Sequence, residues 1–276
     1  QQTDAGENAA LEVIEVGAIE QLTRGEVDIQ VATARRFPRK VRDFKLAATE
    51  QALANAKIAE TCFYALPRAG KVITGPSVRL AEIMAGAWGN LRCDTRVVMA
   101  GERMLTAQAV AWDLERNVLM RAEVQTRITD RRGKRYSDDM IVVAGNAAMS
   151  KALRNAIFRV IPRAYVDALC ELAQRKAAEG EGEGDIGAAR EIWVSHYEGQ
   201  GVPLSAVLRV LERPAVEDIT REDLALLAGI RTSIAEGHAT LETAFGLEES
   251  AVPAEAPPDG TIGFGRKAKK GEKNEG

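Results

Sequence analysis

The chain has 276 residues, of which 46% are hydrophobic and 28% charged, and it carries a net charge of −3 at neutral pH. That composition is ordinary for a globular protein, with room for one substantial core plus a smaller unit, or for two modest domains. No apolar run approaches the roughly 20 residues that cross a bilayer, and the acidic start is unlike a signal peptide, so no membrane association is expected.

Along the chain the charge is sorted. Residues 1–30 hold one Lys/Arg against seven Asp/Glu and are short of aromatics, which predicts a partly ordered acidic arm. Residues 31–176 hold 26 Lys/Arg against 14 Asp/Glu, a net of +12. A segment of that charge is an electrostatic footprint for a polyanion, foremost nucleic acid. The alternative is a basic domain neutralised by its own acidic neighbours. This segment opens with Arg35-Arg36-Phe37-Pro38-Arg39-Lys40, a basic loop that proline holds extended. Spaced apolar residues and alanines then predict a helix from Val41 to about Ala59. The stretch FYALPRAGKVITGPS reads as a Gly/Pro-rich loop, with Ser77 or Thr74 as cap of the helix SVRLAEIMAGAWG, which Gly89-Asn90 closes.

The period changes after Asn90. LRCDTRVVMA, MLTAQAVAWDL and VLMRAEVQTRITD alternate like strands and are joined by short connectors, which predicts an antiparallel meander. The basic turn Asp130-Arg131-Arg132-Gly133-Lys134-Arg135 follows. A long helix is predicted from about Ser137 to Glu179, kinked or divided at Pro162. The fold class expected is therefore α+β: a three-stranded antiparallel meander packed on a long helix, with a small all-helical C-terminal domain. The domain boundaries are an arm over 1–30, a basic core over 31–179, an acidic Gly/Glu linker over 180–185, a helical domain over 186–250 and a disordered tail over 251–276.

The candidate site residues are basic or amide-bearing. Asn146, Ser150, Lys151, Arg154, Asn155 and Arg159 recur at spacings of three and four on the long helix and so share one face, suited to following a phosphate backbone. A solvated helix face is the alternative. Arg131, Arg132, Lys134 and Arg135 cluster beside Tyr136, while Arg68 and Lys71 follow Phe63 and Tyr64. Basic groups next to rings suit single-stranded nucleic acid, where bases stack on aromatics; an ordinary charged hairpin and core rings are the alternative. Arg79 faces ligand or solvent, and Trp88 and Trp112 are expected in the core.

Catalytic signatures are absent. There is no phosphate-loop motif for an ATP-driven recombinase and no nucleophile elbow. The two histidines, His196 and His238, lie outside the basic segment, and no Cys/His spacing resembles a zinc site. The odd, scattered cysteines Cys62, Cys93 and Cys170 suit a reducing compartment. Asp113, Glu115, Glu123, Asp138 and Asp139 are the carboxylates available to a metal-dependent nuclease, the enzymatic alternative; a non-catalytic adaptor with a basic core is the third reading.

In the order of its features the chain resembles the phage single-strand annealing proteins of the Red-beta/RecT superfamily, whose core is β-β-β-α. The resemblance rests on GPSVRLAEIMAGAWGN (75–90), the meander, RITDRRGKRYSDDMIVVAGNAAMSKALRNAIFRVIP (127–162) and DITREDLALLAGIRTSIAEGHATLETAF (218–245). The tryptophan- and lysine-rich stretches of the RecT branch are missing. What the resemblance implies is ATP-independent binding of single-stranded DNA and annealing of complementary strands in phage recombination, without cofactor or metal. It further implies rings or helical filaments of many subunits in the cytoplasm of a bacterial host. Lys151, Arg154 and Arg159 would grip the first strand, and residues 131–135 would line the same groove. The acidic C-terminal domain would sit off that groove, docking a phage exonuclease or the host single-strand binding protein.

Overall fold

The computed structural model describes residues 24–68, 71–130, 132–180 and 185–247. Most of the acidic arm, Arg131, the middle of the Gly/Glu linker and the tail expected over 251–276 lie outside the described residues. Helix α1 covers residues 24–36, so the basic cluster at 35–40 begins as helix and becomes a loop only at Phe37. Two helices follow, α2 (Val41–Ala52) and α3 (Ala56–Thr61), and then the paired strands β1 (Phe63–Arg68) and β2 (Lys71–Pro76). Helix α4 (Val78–Trp88) leads into β3 (Leu91–Ala100), β4 (Met104–Asp113) and β5 (Val118–Arg127). The long helix is divided into α5 (Asp138–Val160) and α6 (Arg163–Glu179). The C-terminal part holds α7 (Ile186–Glu198), α8 (Leu204–Leu211), α9 (Arg221–Ala235) and α10 (Leu241–Phe245).

The protein is α+β: the meander β3-β4-β5 is antiparallel and packs one face on α5. The seam is made of small side chains. Ala107, Ala109 and Ala111 alternate along β4, Ala122 lies opposite Ala109 on β5, and all are buried. They meet Ala148, Ala152 and Ala156, spaced by four on α5 and also buried, within one apolar cluster. Gly145 continues the seam, where a Cβ would stand 3.6 Å from Leu105 and 4.0 Å from Val97. Short side chains on both elements let the helix lie close to the sheet, so dispersion contacts accumulate along its length.

Pro162 divides the long helix because it has no N–H to donate to Phe158 and its ring would collide with that carbonyl. Ile161 and Pro162 take extended backbone, and α6 restarts at Arg163.

The stretch over 63–77, read as a loop, is a β-hairpin. Its register runs from Phe63 opposite Pro76 to Arg68 opposite Lys71. Prolines are tolerated because a two-stranded ribbon has edges on which an N–H is dispensable. Such a ribbon is marginal alone, and here it leans on α9: a Cβ at Gly229 would stand 2.8 Å from that of Ala65. Gly75 lies under the Tyr64 ring, where a Cβ would come within 2.7 Å of the hydroxyl.

The C-terminal helices have their own apolar cluster, centred on Tyr197, Val202, Leu227, Ile230 and Phe245. It also takes in Ala65 of β1, while Ala225 of α9 belongs to the main core. The two units are therefore joined through the hairpin. Among the described residues, no helix is long and apolar enough to cross a membrane.

Candidate nucleic-acid interface

The break at Pro162 places Arg163 beside the end of α5, and the hairpin passes in front. Between them lies a cleft of about 290 Å³ whose walls carry Arg154, Asn155, Phe158 and Arg159 from α5, Arg163 from α6 and Tyr64 from β1. Thr74, Gly75 and Pro76 complete it from β2. Among the described residues, no carboxylate lines this cleft. Three guanidiniums within one concavity concentrate positive potential. They also present the planar donor sets that suit phosphate oxygens.

The three arginines are not equally available. Arg163 is exposed and pairs with Asp167 at 2.7 Å across one turn of α6. Arg159 is exposed and donates to the backbone carbonyl of Arg121 on β5. By contrast, the Arg154 side chain is only 12% exposed. Its Nη1 lies 2.7 Å from His238 Nε2 and 3.5 Å from Glu236 Oε2, and its Nε and Nη2 donate to Asn155 Oδ1. Lys151 donates to the carbonyl of Gly237 at 2.6 Å. Burial lowers its pKa, the nearby Arg154 adds to that, and Glu236 opposes both.

The turn Glu236-Gly237-His238 that closes α9 thus sits on Lys151 and Arg154 of the predicted stripe. Gly237 is required there: its φ is +66°, and a Cβ would lie 3.0 Å from that of Ala147 on α5. The expectation that the C-terminal unit stands clear of the stripe is corrected by this contact. One carboxylate, Glu236, and the carbonyl of Gly237 meet the two cations of the basic helix there. Asn146 remains exposed nearer the start of α5.

The basic turn does not share the cleft. Arg135 precedes α5 and Arg159 ends it, and a helix of 23 residues is about 34 Å long. Arg135 donates to the carbonyls of Gly101 and Glu102, at 2.6 and 3.2 Å, and so pins the β3–β4 connection. Arg132 and Lys134 are exposed, their backbone N–H groups held by Asp130, and Tyr136 packs half-buried against the core. Arg68 and Lys71 line a different cleft, between the hairpin tip and α8 and α10, where Arg209 donates to the carbonyls of Phe245 and Gly246. Arg79 is exposed and pairs with Glu82. The predicted residues that the structure describes are therefore scattered: Arg154, Asn155 and Arg159 meet in the cleft, Arg68 and Lys71 share another, and the basic turn, Arg79 and Asn146 stand apart from both.

Arg163 was missed by the sequence reading, although an arginine just past a helix-breaking proline and four residues from Arg159 is a usable signal. Arg39 was read only as part of a basic cluster. It is 7% exposed in its side chain and pairs with Asp113 at 2.5 Å, over the Trp88 ring at 4.3 Å. Burial pushes the Asp113 carboxyl up, but hydrogen bonds from Arg39, the Arg116 N–H and Trp88 outweigh it and hold the pKa below the ordinary value. Trp88 is in the core as expected, whereas Trp112 is half-exposed and donates to Asn117.

Of the carboxylates considered for metal chemistry, Asp113 and Glu115 are engaged by Arg39 and Glu123 by Gln108. Among the described residues, no group of three or more His, Cys, Asp or Glu is placed to hold a metal ion. In comparisons with known proteins, no family model, curated protein or solved structure matches the chain.

Proposed function

We propose that the protein binds single-stranded DNA through the cleft between the hairpin and the α5–α6 break, and anneals complementary strands without ATP. The observation that carries this reading is the convergence of Arg154, Asn155, Arg159 and Arg163 with the rings of Tyr64 and Phe158. Arginines neutralise successive phosphates and remove the repulsion between two strands, while base edges remain free to pair. Arg132 and Lys134, exposed at the far end of α5, would meet the same or an incoming strand further along. Assembly into a ring or filament would align such sites, and the C-terminal helices would offer the surface for a phage exonuclease or the host single-strand binding protein.

The test is annealing of two dye-labelled complementary oligonucleotides without nucleotide, at several salt concentrations. Wild-type protein should accelerate pairing, with an effect that falls steeply as salt rises. The double variant Arg159→Glu, Arg163→Glu should lose at least tenfold in strand affinity while melting like wild type, because both side chains are exposed. An unchanged affinity in that variant sinks the cleft as the binding site.

A second reading is favoured by the Glu236–Arg154 pair: a basic core whose charge is spent on its own acidic C-terminal unit, in an adaptor. It predicts no oligonucleotide binding at physiological salt.

A further inference from the structure

We propose that His238 is a proton-operated latch on Arg154, holding the guanidinium against the C-terminal turn when neutral and releasing it into the cleft when protonated. The inference rests on the single-strand-binding reading and names how that site would be regulated. Arg154 has only donors to offer, and its Nη1 is 2.7 Å from His238 Nε2. Engaged by Arg154, that nitrogen presents its lone pair and the ring is neutral with its proton on Nδ1; engaged by Glu236 Oε2 at 3.1 Å, the same nitrogen carries a proton. A solvent proton bound at Nε2 removes the acceptor and sets two cationic donors face to face.

The partner exchange is already in place. Glu236 Oε2 lies 3.1 Å from the same Nε2 and 3.5 Å from Arg154 Nη1, so the imidazolium takes over the carboxylate. The other oxygen, Oε1, remains on the backbone N–H of Val78 at 2.7 Å, so Glu236 does not move with the exchange. The groups facing His238 are Arg154 and Lys151 from α5, Glu236 from the end of α9, and the Tyr64 ring from β1, stacked at 4.5 Å. Lys151 is bound to the carbonyl next to the ring and adds to the repulsion that a second positive charge meets. Released, the Arg154 guanidinium turns as one rigid plane, giving up the hydrogen bonds of its Nε and Nη2 to Asn155 Oδ1, and that wall of the cleft is where it already stands. The cleft would then bind with three arginines in place of two.

The experiment uses the full chain and a labelled oligothymidylate at constant ionic strength, at about pH 7.5 and about pH 5, the lower value set well under the ordinary histidine range because burial lowers the pKa of His238. Wild type should bind about five- to tenfold tighter at the lower pH, with a salt slope steeper by about 0.7, the share of one more phosphate. His238→Gln should keep the neutral-pH affinity and lose the gain. Linkage supplies a second readout in the wild type: bound oligonucleotide should raise the His238 titration midpoint, followed by ring-proton NMR, by the same factor. Binding that is equally tight at both pH values, or a gain that persists in His238→Gln, overturns the latch and leaves the DNA reading standing. Absence of binding at both pH values overturns the DNA reading itself.

Discussion

Arg39 and Arg154 show how the same residue type takes opposite roles according to what the fold sets beside it. Arg39 is enclosed by Asp113, Glu115 and Trp88, and removing Asp113 takes away its two shortest contacts and leaves a buried guanidinium on Glu115 at 3.2 Å and the Gly89 carbonyl at 3.4 Å. Asp113→Ala should cost about 3–5 kcal/mol, as for other broken buried ion pairs, and urea unfolding measures it. Because the folded carboxyl is held below its ordinary value, its contribution is complete above the unfolded pKa of about 3.9 and is lost as pH falls through the folded one. Asp113→Asn should flatten the acid limb of the stability curve accordingly. His238 titrates higher. Burial lowers its pKa first, Glu236 raises it, and Arg154 and Lys151 lower it further. A depressed histidine contributes stability that is complete above about pH 6.5 and declines as pH falls through its folded value. Thermal melts of wild type should therefore weaken below about pH 6.5, and those of His238→Gln should do so less.

Among the elements, the α5–sheet seam and the hairpin depend on absent side-chain volume. Ala152 is fully buried between α5 and the meander, so Ala152→Leu overpacks the seam and should destabilise by about 1–3 kcal/mol. Gly75→Ala forces Tyr64 off its position in the cleft wall. The expected outcome is a loss of strand affinity larger than the loss of stability, read by pairing anisotropy with melting. Helix α5 was legible because its alanines recur every four residues, and the meander because its apolar residues alternate. The hairpin was not: Pro67, Gly75 and Pro76 carry the composition of a loop. What makes them strand is the support of α9, more than 150 residues later in the chain.

For the whole molecule, the charge sorting acquires a geometry. The basic segment meets the acidic one at Glu236–Arg154, and Lys151 is bound to the carbonyl of Gly237, whereas Arg231 of α9 on Glu60 at 3.1 Å runs the opposite way. Part of the basic excess is therefore spent on holding the C-terminal helices. The remainder stands in separated places along about 34 Å of α5, and its reach should appear in the salt dependence of binding. If Arg159 and Arg163 provide the neutral-pH contacts in the cleft, each single alanine variant should reduce the slope of log affinity against log salt by about 0.7. A slope unchanged by either substitution would place the contacts elsewhere, with Arg132 and Lys134 the next to be replaced.

The sequence by itself determined the α+β class, the order of the meander and long helix, the division at Pro162 and the polarity of charge along the chain. Each of these follows from local periodicity, from backbone chemistry at one residue, or from counting. Only the tertiary structure decided which cations share a site. Arg154, Arg159 and Arg163 are neighbours because a helix break turns the chain against a hairpin, whereas Arg135 lies a helix length away and Lys151 is covered by Gly237. Proximity between residues distant in sequence is set by packing, and packing is settled by the whole set of apolar surfaces that must be buried together.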